Sequence, residues 1–202
     1  MTDIKVVIFD IDGVVNDYGA RSYRMFLAEK SAKSFEEVSR IVDPLIDELI
    51  VNRISLSTFE SEIGIKLGIG IQDVGWLDYY RKAKPNKSVL DLVSELKKKG
   101  YSVGYMTNTD SSRYGMTKAF TQGTGDFIFA ACKMGVSKPK AAAFKFVLDS
   151  LNRSTGNRLE YKNFLFIDDS VANVEAATSL GMAGIVFRDI SQLKYAIEEK
   201  LS

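Results

Sequence analysis

Short apolar runs alternate with helical patterns along most of this chain, and this alternation limits its possible folds more than any other feature. Each run is rich in β-branched or aromatic residues, as is typical of a strand buried on both faces. Strands separated by helices predict an α/β protein with a Rossmann-like parallel sheet, covered by helices on both sides. The five runs are Lys5–Phe9, Ser102–Met106, Phe127–Ala131, Phe164–Ile167 and Gly184–Phe187.

One long stretch interrupts the alternation between the first and second runs. From about residue 17 to 84 the pattern predicts helices only: Ser34–Val51, Ser57–Leu67 with Ser57 as N-cap, and Asp73–Ala83. Pro85 marks the return to the sheet. We therefore expect a core domain of residues 1–16 and 85–202, with a helical domain of residues 17–84 inserted into it.

The composition excludes several classes of function. The 202 residues include 27 basic and 26 acidic side chains, and a net charge of +1 gives no reason to expect nucleic acid as a partner. The absence of histidine excludes histidine bases, nucleophiles and metal ligands. The single cysteine, Cys132, cannot form an intramolecular disulfide, which fits a cytoplasmic location. We see neither a signal peptide nor an apolar run of the roughly 20 residues that a membrane span needs.

Polar segments stand where the predicted strands end or a helix begins. They are Asp10 with Asp12, Thr107 with Asn108, Lys138 before a helix, and Asp168 with Asp169. Ligands of open α/β sheets bind beyond the carboxyl ends of the strands, so we expect these segments to converge there.

The chemistry of these side chains favours phosphoryl transfer. Neighbouring carboxylates repel each other unless a cation binds, and carboxylate oxygens suit Mg²⁺. Hydroxyl and amide groups can donate to phosphate oxygens, and a lysine can neutralise phosphate charge. Taken singly, each segment has a simpler explanation: Asp10 to Gly13 as a turn or part of a calcium loop, Asp168 and Asp169 as a helix cap. Their joint occurrence in order predicts metal-assisted phosphoryl transfer.

The four segments resemble the motifs of the haloacid dehalogenase-like (HAD) hydrolase superfamily over nearly the whole chain. Phe9–Val15 resembles motif one, Thr107-Asn108 motif two, Lys138-Pro139 motif three and Phe166–Asp169 motif four. The insertion falls where one subgroup carries a helical cap after motif one. The resemblance therefore implies a HAD fold with a small α-helical cap.

The resemblance also implies roles for the residues that match. Asp10 would be the nucleophile, and Asp12 would be the general acid and base. Thr107 and Asn108 would bind the phosphoryl group, together with Lys138, which would also hold Asp10. Mg²⁺ would be bound by Asp10, Asp12 through its backbone carbonyl, Asp169 and Asp168. Many relatives have a second acid where this chain has Asn173.

These roles imply a magnesium-dependent phosphatase that acts on a small phosphate monoester, such as a sugar phosphate or a phosphoglycolate-like metabolite. Asp12 disfavours dehalogenation, because haloacid dehalogenases lack an aspartate at this position. A sugar phosphomutase shares the motifs, but its cap histidine cannot exist here. A catalytically idle module that binds phospho-ligands is a third alternative.

Cap residues would select the substrate. Tyr18, Arg21 and Tyr23 lie near the expected hinge. Arg53 in a cap turn is either a substrate contact or, as we favour, a solvated surface arginine. The sequence gives no indication of oligomeric state.

Overall fold

The centre of the protein is a sheet of five parallel strands in the order β3-β2-β1-β4-β5. The structure is a computed structural model that describes residues 3–156 and 158–201. The strands are β1 (Val6–Phe9), β2 (Ser102–Thr107), β3 (Phe127–Ala130), β4 (Phe164–Asp168) and β5 (Ala183–Val186). The predicted α/β fold with a parallel sheet is confirmed.

Strand β1 lies at the point where the strand order reverses. Its last residue, Phe9, is in register with Tyr105 of β2 on one side and with Ile167 of β4 on the other. The residues that follow β1 and β4 therefore emerge next to each other, at the crevice where α/β sheets bind ligands.

Eleven α-helices surround or extend the sheet in the described residues. They are α1 (Ala20–Ser31), α2 (Phe35–Ile50), α3 (Leu56–Leu67), α4 (Ile71–Val74), α5 (Trp76–Tyr80), α6 (Lys87–Lys98), α7 (Tyr114–Phe120), α8 (Ala131–Met134), α9 (Ala141–Thr155), α10 (Val171–Ser179) and α11 (Ile190–Leu201), with a short 3-10 helix at Tyr161–Asn163. None of them is long and apolar enough to cross a membrane.

Side chains of β1 alternate between the two faces of the sheet, as the period of a strand requires. Val7 and Phe9 pack with apolar residues of α6 and α11, whereas Val6 and Ile8 pack with those of α9 and α10. Because both faces are covered, the whole strand is apolar, which is why it was recognisable from sequence.

Helices α1 to α5 share an apolar cluster of their own, centred on Tyr23, Phe59 and Trp76. The chain enters and leaves this unit through adjacent segments: Asp17 N donates to Lys84 O (3.2 Å), and Asn86 N donates to Val15 O (2.7 Å). These two observations support residues 17–84 as a separate cap, and we keep that division as a proposal.

Three features of the helices differ from the sequence prediction. The N-cap of α3 is Ser55, whose hydroxyl accepts from Thr58 N, and not Ser57. The predicted helix over Asp73–Ala83 is interrupted, because Gly75 has a positive φ of 51° and separates α4 from α5. Helices α1, α7, α8 and α11 were not predicted.

Candidate active site

Asp10 directly follows β1 and lies at the bottom of a cavity. Its backbone N donates to Ile167 O of β4 (2.8 Å), and its Oδ1 accepts from Ile11 N (2.7 Å). Burial raises the pKa of Asp10 well above its ordinary value, and repulsion from Asp168 adds to this although Lys138 opposes it. A bound cation would relieve both effects.

Lys138 neutralises the carboxylates around it. Its Nζ lies 2.9 Å from Asp10 Oδ1 and 2.6 Å from Asp168 Oδ2, and it donates to Met106 O at 2.9 Å. These acceptors match the three donors of an ammonium group. Burial lowers the pKa of Lys138, but the two ion pairs outweigh burial and raise it above its ordinary value. Lys138 is therefore a buried, charged bridge between motif one and motif four.

Asp168 and Asp169 have different surroundings despite being neighbours. Asp168 is fully buried and accepts from Lys138, from Ser170 N (2.9 Å) and from Asn173 Nδ2 (3.0 and 3.1 Å). Asp169 lines the cavity, and burial together with Asp168 raises its pKa to about 6. Asn173 therefore supports the orientation of Asp168.

Three of the four expected metal ligands converge. One carboxylate oxygen from each of Asp10, Asp168 and Asp169 lies within 4.8 Å of the others. An oxygen-only donor set is the one Mg²⁺ prefers, so these residues fit the expected ion. The oxygens of Asp168 already accept hydrogen bonds, which favours Asp10 and Asp169 as direct ligands.

Asp12 is directed away from that carboxylate group. Its Oδ1 accepts from Asn16 Nδ2 (2.8 Å), and its Oδ2 accepts from Arg113 Nη1 (3.2 Å). A metal contact through its backbone carbonyl stays a prediction. The side chain lines the same cavity as Asp10, as an acid or base requires.

Gly13 allows the turn that places Asp10 and Asp12 beside Asp169. Its φ is +82°, a conformation that other residues rarely adopt. A Cβ at this position would lie 2.4 Å from Asp169 Oδ2. Glycine is therefore required here both by the backbone conformation and by the closeness of the Asp169 carboxylate.

The two motif-two residues differ in their contacts. The Thr107 hydroxyl is fully buried and has no hydrogen-bond partner among the described residues. It is not among the residues that line the cavity, so its role in binding phosphate stays a prediction. The Asn108 side chain instead holds the backbone of Lys138, with Nδ2 donating to Lys138 O (2.8 Å) and Oδ1 accepting from Lys138 N (3.0 Å). It lines the cavity, but its contacts are those of a residue that positions Lys138.

The cavity has a volume of about 470 Å³ and two walls of different origin. The core wall comprises Asp10, Asp12, Asn108, Lys138 and Asp169. The cap wall comprises Arg21, Arg24, Ile46, Asp47, Trp76 and Tyr80. Arg24 pairs with Asp43, while burial raises the pKa of Asp47. Arg53 is not in either wall; it is exposed and pairs with Glu48 (2.8 Å).

Arg113 lines the same cavity and was missed from the sequence. It is buried, and Asp110 three residues earlier is its closest carboxylate, 2.9 Å from Nε. The spacing of Asp110 and Arg113, three residues apart, could have predicted their ion pair. Nothing in the local sequence indicates that Arg113 also contacts Asp12. Arg24 was missed for a related reason, because α1 was not predicted.

Comparisons with known proteins identify the family of this chain. Residues 4–181 match the family model of the haloacid dehalogenase-like hydrolases. The chain is 28% identical over 120 residues to bifunctional epoxide hydrolase 2 of Rattus norvegicus, covering 56% of this chain but 21% of that protein. It is 29% identical over 108 residues to sesquiterpene phosphatase astK of Aspergillus oryzae, covering 52% of each. The matched region thus spans about half the length of that phosphatase, and about a fifth of the epoxide hydrolase.

Solved structures with the same fold cover nearly the whole chain. The HAD family enzyme bt-2542 from Bacteroides thetaiotaomicron, in complex with magnesium and inorganic phosphate, has a TM-score of 0.69 at 18% identity, covering 94% of this chain and 98% of that one. A dehalogenase with an intermediate complex has a TM-score of 0.66 at 14% identity, covering 91% and 84%. At these identities the likeness shows the fold, whereas the family model extends over most of the sequence. The chain belongs to the haloacid dehalogenase-like hydrolase family.

Proposed function

We propose that this protein is a magnesium-dependent phosphatase that hydrolyses a small phosphate monoester through an aspartyl-phosphate on Asp10. The observation that carries the proposal is the pair Asp10 and Asp12 facing one cavity, with Asp10 held by the buried Lys138. A nucleophile and a separate acid within one turn are what two-step phosphoryl transfer to water needs.

In the first step, a carboxylate oxygen of Asp10 attacks phosphorus while the bond from phosphorus to the alcohol oxygen breaks. Asp12, in its protonated form, donates its proton to that oxygen. Lys138 and the Thr107 hydroxyl would compensate charge on the phosphoryl oxygens. Bound Mg²⁺, held by Asp10 and Asp169 with Asp168 behind them, would supply further neutralisation of that charge.

In the second step, Asp12 accepts a proton from water, and the water oxygen attacks phosphorus. The bond between phosphorus and Asp10 breaks, inorganic phosphate leaves, and Asp12 is again protonated. Asp12 thus acts first as acid and then as base, which explains why one side chain suffices in a chain without histidine.

The cavity supports a small, polar substrate. Its volume suits a metabolite, and Arg21, Asp47 and Ile46 of the cap wall give the leaving group charged and apolar contacts. A sugar phosphate or a phosphoglycolate-like compound fits these properties. The name of the fungal relative, a phosphatase, and the phosphate bound to the Bacteroides enzyme support the reaction class. The single buried cysteine supports a cytoplasmic location.

The test is phosphate release from an aryl phosphate, with Mg²⁺ or with EDTA, by the wild type and by Asp10→Asn. We expect release that depends on Mg²⁺ and falls by about 10³-fold or more in the variant, because the nucleophile is lost. Asp91→Asn, an exposed acid on α6, is the matched control and should keep full activity. An Asp10→Asn rate above a tenth of the wild type contradicts the mechanism.

The same assay separates the alternatives. A sugar 1-phosphate with a trace of the bisphosphate should yield free phosphate, whereas formation of the isomeric sugar phosphate would identify a phosphomutase. A lack of turnover over a broad panel of phosphorylated metabolites with Mg²⁺ would identify a binding module. Dehalogenase activity is not expected, because Asp12 has no role in it.

A further inference from the structure

Arg113 is a buried arginine at the junction of the core and the cap. It follows β2 and is the N-cap residue of α7. Its guanidinium donates from Nε to Asp110 Oδ2 (2.9 Å), from Nη1 to Asp12 Oδ2 (3.2 Å) and from Nη2 to Asn108 O (3.4 Å). A planar guanidinium fixes the directions of its donors. These contacts therefore hold the Asp12 carboxylate at a fixed position relative to Asn108 of motif two.

The guanidinium also contacts two aromatic rings of helix α5. The Cζ of Arg113 lies 3.7 Å from the ring centroid of Tyr80 and 4.7 Å from that of Trp76. Trp76 Nε1 also donates to Asp110 Oδ2 (3.0 Å), the oxygen that binds Arg113 Nε. The cap therefore contacts both members of the ion pair, and cation–π contacts of this kind are strongest where water is excluded.

Asp12 depends on this arrangement for its orientation. One of its oxygens is held by Asn16 of the same turn, and the other is held by Arg113 from a different strand end. Proton transfer needs a heavy-atom distance of about 2.6–3.2 Å to the reacting oxygen. A carboxylate that loses one of two such contacts can rotate, and a misplacement of about 1 Å can cost roughly 10²-fold in rate.

We propose that Arg113 is a positioning residue that holds Asp12 for proton transfer to the leaving group, and that Trp76 and Tyr80 of the cap hold Arg113. Seating of α5 on the core is thereby coupled to the acid–base step. This inference rests on the proposed function, since it concerns the same reaction, but it assigns a residue and a coupling which that function does not require.

The test compares two substrates that differ in their need for a proton. A nitrophenyl phosphate releases a stable anion, whereas a simple alkyl phosphate releases an alkoxide that must be protonated. Because Asp12 also serves the second step, which both substrates share, the first step is measured alone, as release of the alcohol or phenol in a single turnover with enzyme in excess. For Arg113→Lys we expect this rate to fall by about 10²-fold with the alkyl phosphate and by less than about 5-fold with the nitrophenyl phosphate. Combining Arg113→Lys with Asp12→Asn should cost no more than Asp12→Asn alone.

A second variant keeps the test decisive if Arg113→Lys does not fold. Tyr80→Leu keeps all the hydrogen-bond acceptors of Arg113 but removes one of the two rings that contact its guanidinium. It should slow the first step with the alkyl phosphate about 5-fold more than with the nitrophenyl phosphate. Phe26→Leu, which changes another aromatic residue of the cap cluster, is the control and should not discriminate between the substrates.

The outcomes separate this inference from the proposed function. An active wild type whose Arg113→Lys and Tyr80→Leu variants slow the first step equally with both substrates overturns the positioning role and leaves the phosphatase intact. Strictly additive losses in the double variant overturn it as well. A wild type that releases phosphate from neither substrate overturns both proposals.

Discussion

The two walls of the cavity are built on different principles. In the core wall, Lys138 and Asp10 are almost wholly buried, and Lys138 has three acceptors for its three donors. In the cap wall, Arg21 is exposed and stacks on Phe35, and no described carboxylate lies within ion-pair distance of it. In the core wall, all three donors of Lys138 are used, which fixes its position. In the cap wall, the Arg21 guanidinium can still bind a charged group of a ligand. The difference suggests that the core wall determines the reaction and the cap wall determines the substrate.

The largest expected effect comes from breaking the core wall at Lys138. Lys138→Met leaves Asp10 and Asp168 buried without their counter-charge, so we expect activity to fall by roughly 10³-fold. The free energy of unfolding should fall by about 3–5 kcal/mol, as when one partner of a buried ion pair is removed. Phosphate release and urea denaturation measure the two effects.

Lys140→Met is the control for that experiment, because Lys140 is exposed two residues further on. It should change neither quantity by more than a small amount. Equal effects of the two substitutions would mean that the buried ion pairs of Lys138 contribute no more to activity or stability than a surface lysine does.

A smaller, selective effect is expected in the cap wall. Arg21→Ala should lower kcat/KM about 10-fold for the best substrate of a metabolite screen if that substrate carries a second anionic or strongly polar group. Hydrolysis of an aryl phosphate should change less than about 2-fold, because its leaving group offers Arg21 no such partner. Arg53→Ala, outside both walls, is the control. Equal losses on both substrates would mean that Arg21 acts on the phosphoryl group that both share. The cap wall would then contribute to the reaction as well as to the choice of substrate.

The smallest effect concerns stability without metal. The pKa values of Asp10 and Asp169 are raised, the latter to about 6, so the folded protein binds protons there that the unfolded chain releases. Stability in EDTA should therefore decrease as pH rises from 5.5 to 7.5. Mg²⁺ should offset the decrease at pH 7.5, because the ion binds the charged carboxylates.

Thermal melts over this pH range, with EDTA and with Mg²⁺, measure the effect. The absence of histidine removes the usual source of titration in this window. Asp169→Asn should flatten the pH dependence in EDTA. A melting temperature that is independent of pH in the wild type would contradict the assigned shifts.

The core wall was predictable from sequence and the cap wall largely was not. Asp10 and Asp169 of this wall stand just after apolar runs that are clearly recognisable as strands, and parallel pairing brings the ends of such strands together. Arg113 reaches Asp12 across 101 positions of sequence, and Trp76 reaches Asp110 across 34. The first contact depends on how the segment after β2 lies against the turn after β1, and the second on how the cap packs on the core. No local period of the sequence encodes either arrangement.

Helix α1 shows the same limit at smaller scale. Its apolar stripe is short, consisting of Tyr23, Phe26 and Leu27, and its N-cap, Gly19, has no side chain to cap the helix. These local signals were too weak to predict it. Yet it carries Arg21 and Arg24 of the cap wall. By contrast, α2 has a capping box between Ser34 and Glu37, and both of its ends were predicted closely.

Trp76 gives the protein a natural optical probe. It is the only tryptophan of the chain, it is almost fully buried, and its indole contacts both Asp110 and Arg113. Its fluorescence therefore arises where helix α5 contacts the core. The emission of the unlabelled protein should consequently report, in real time and during turnover, whether that junction is closed or open.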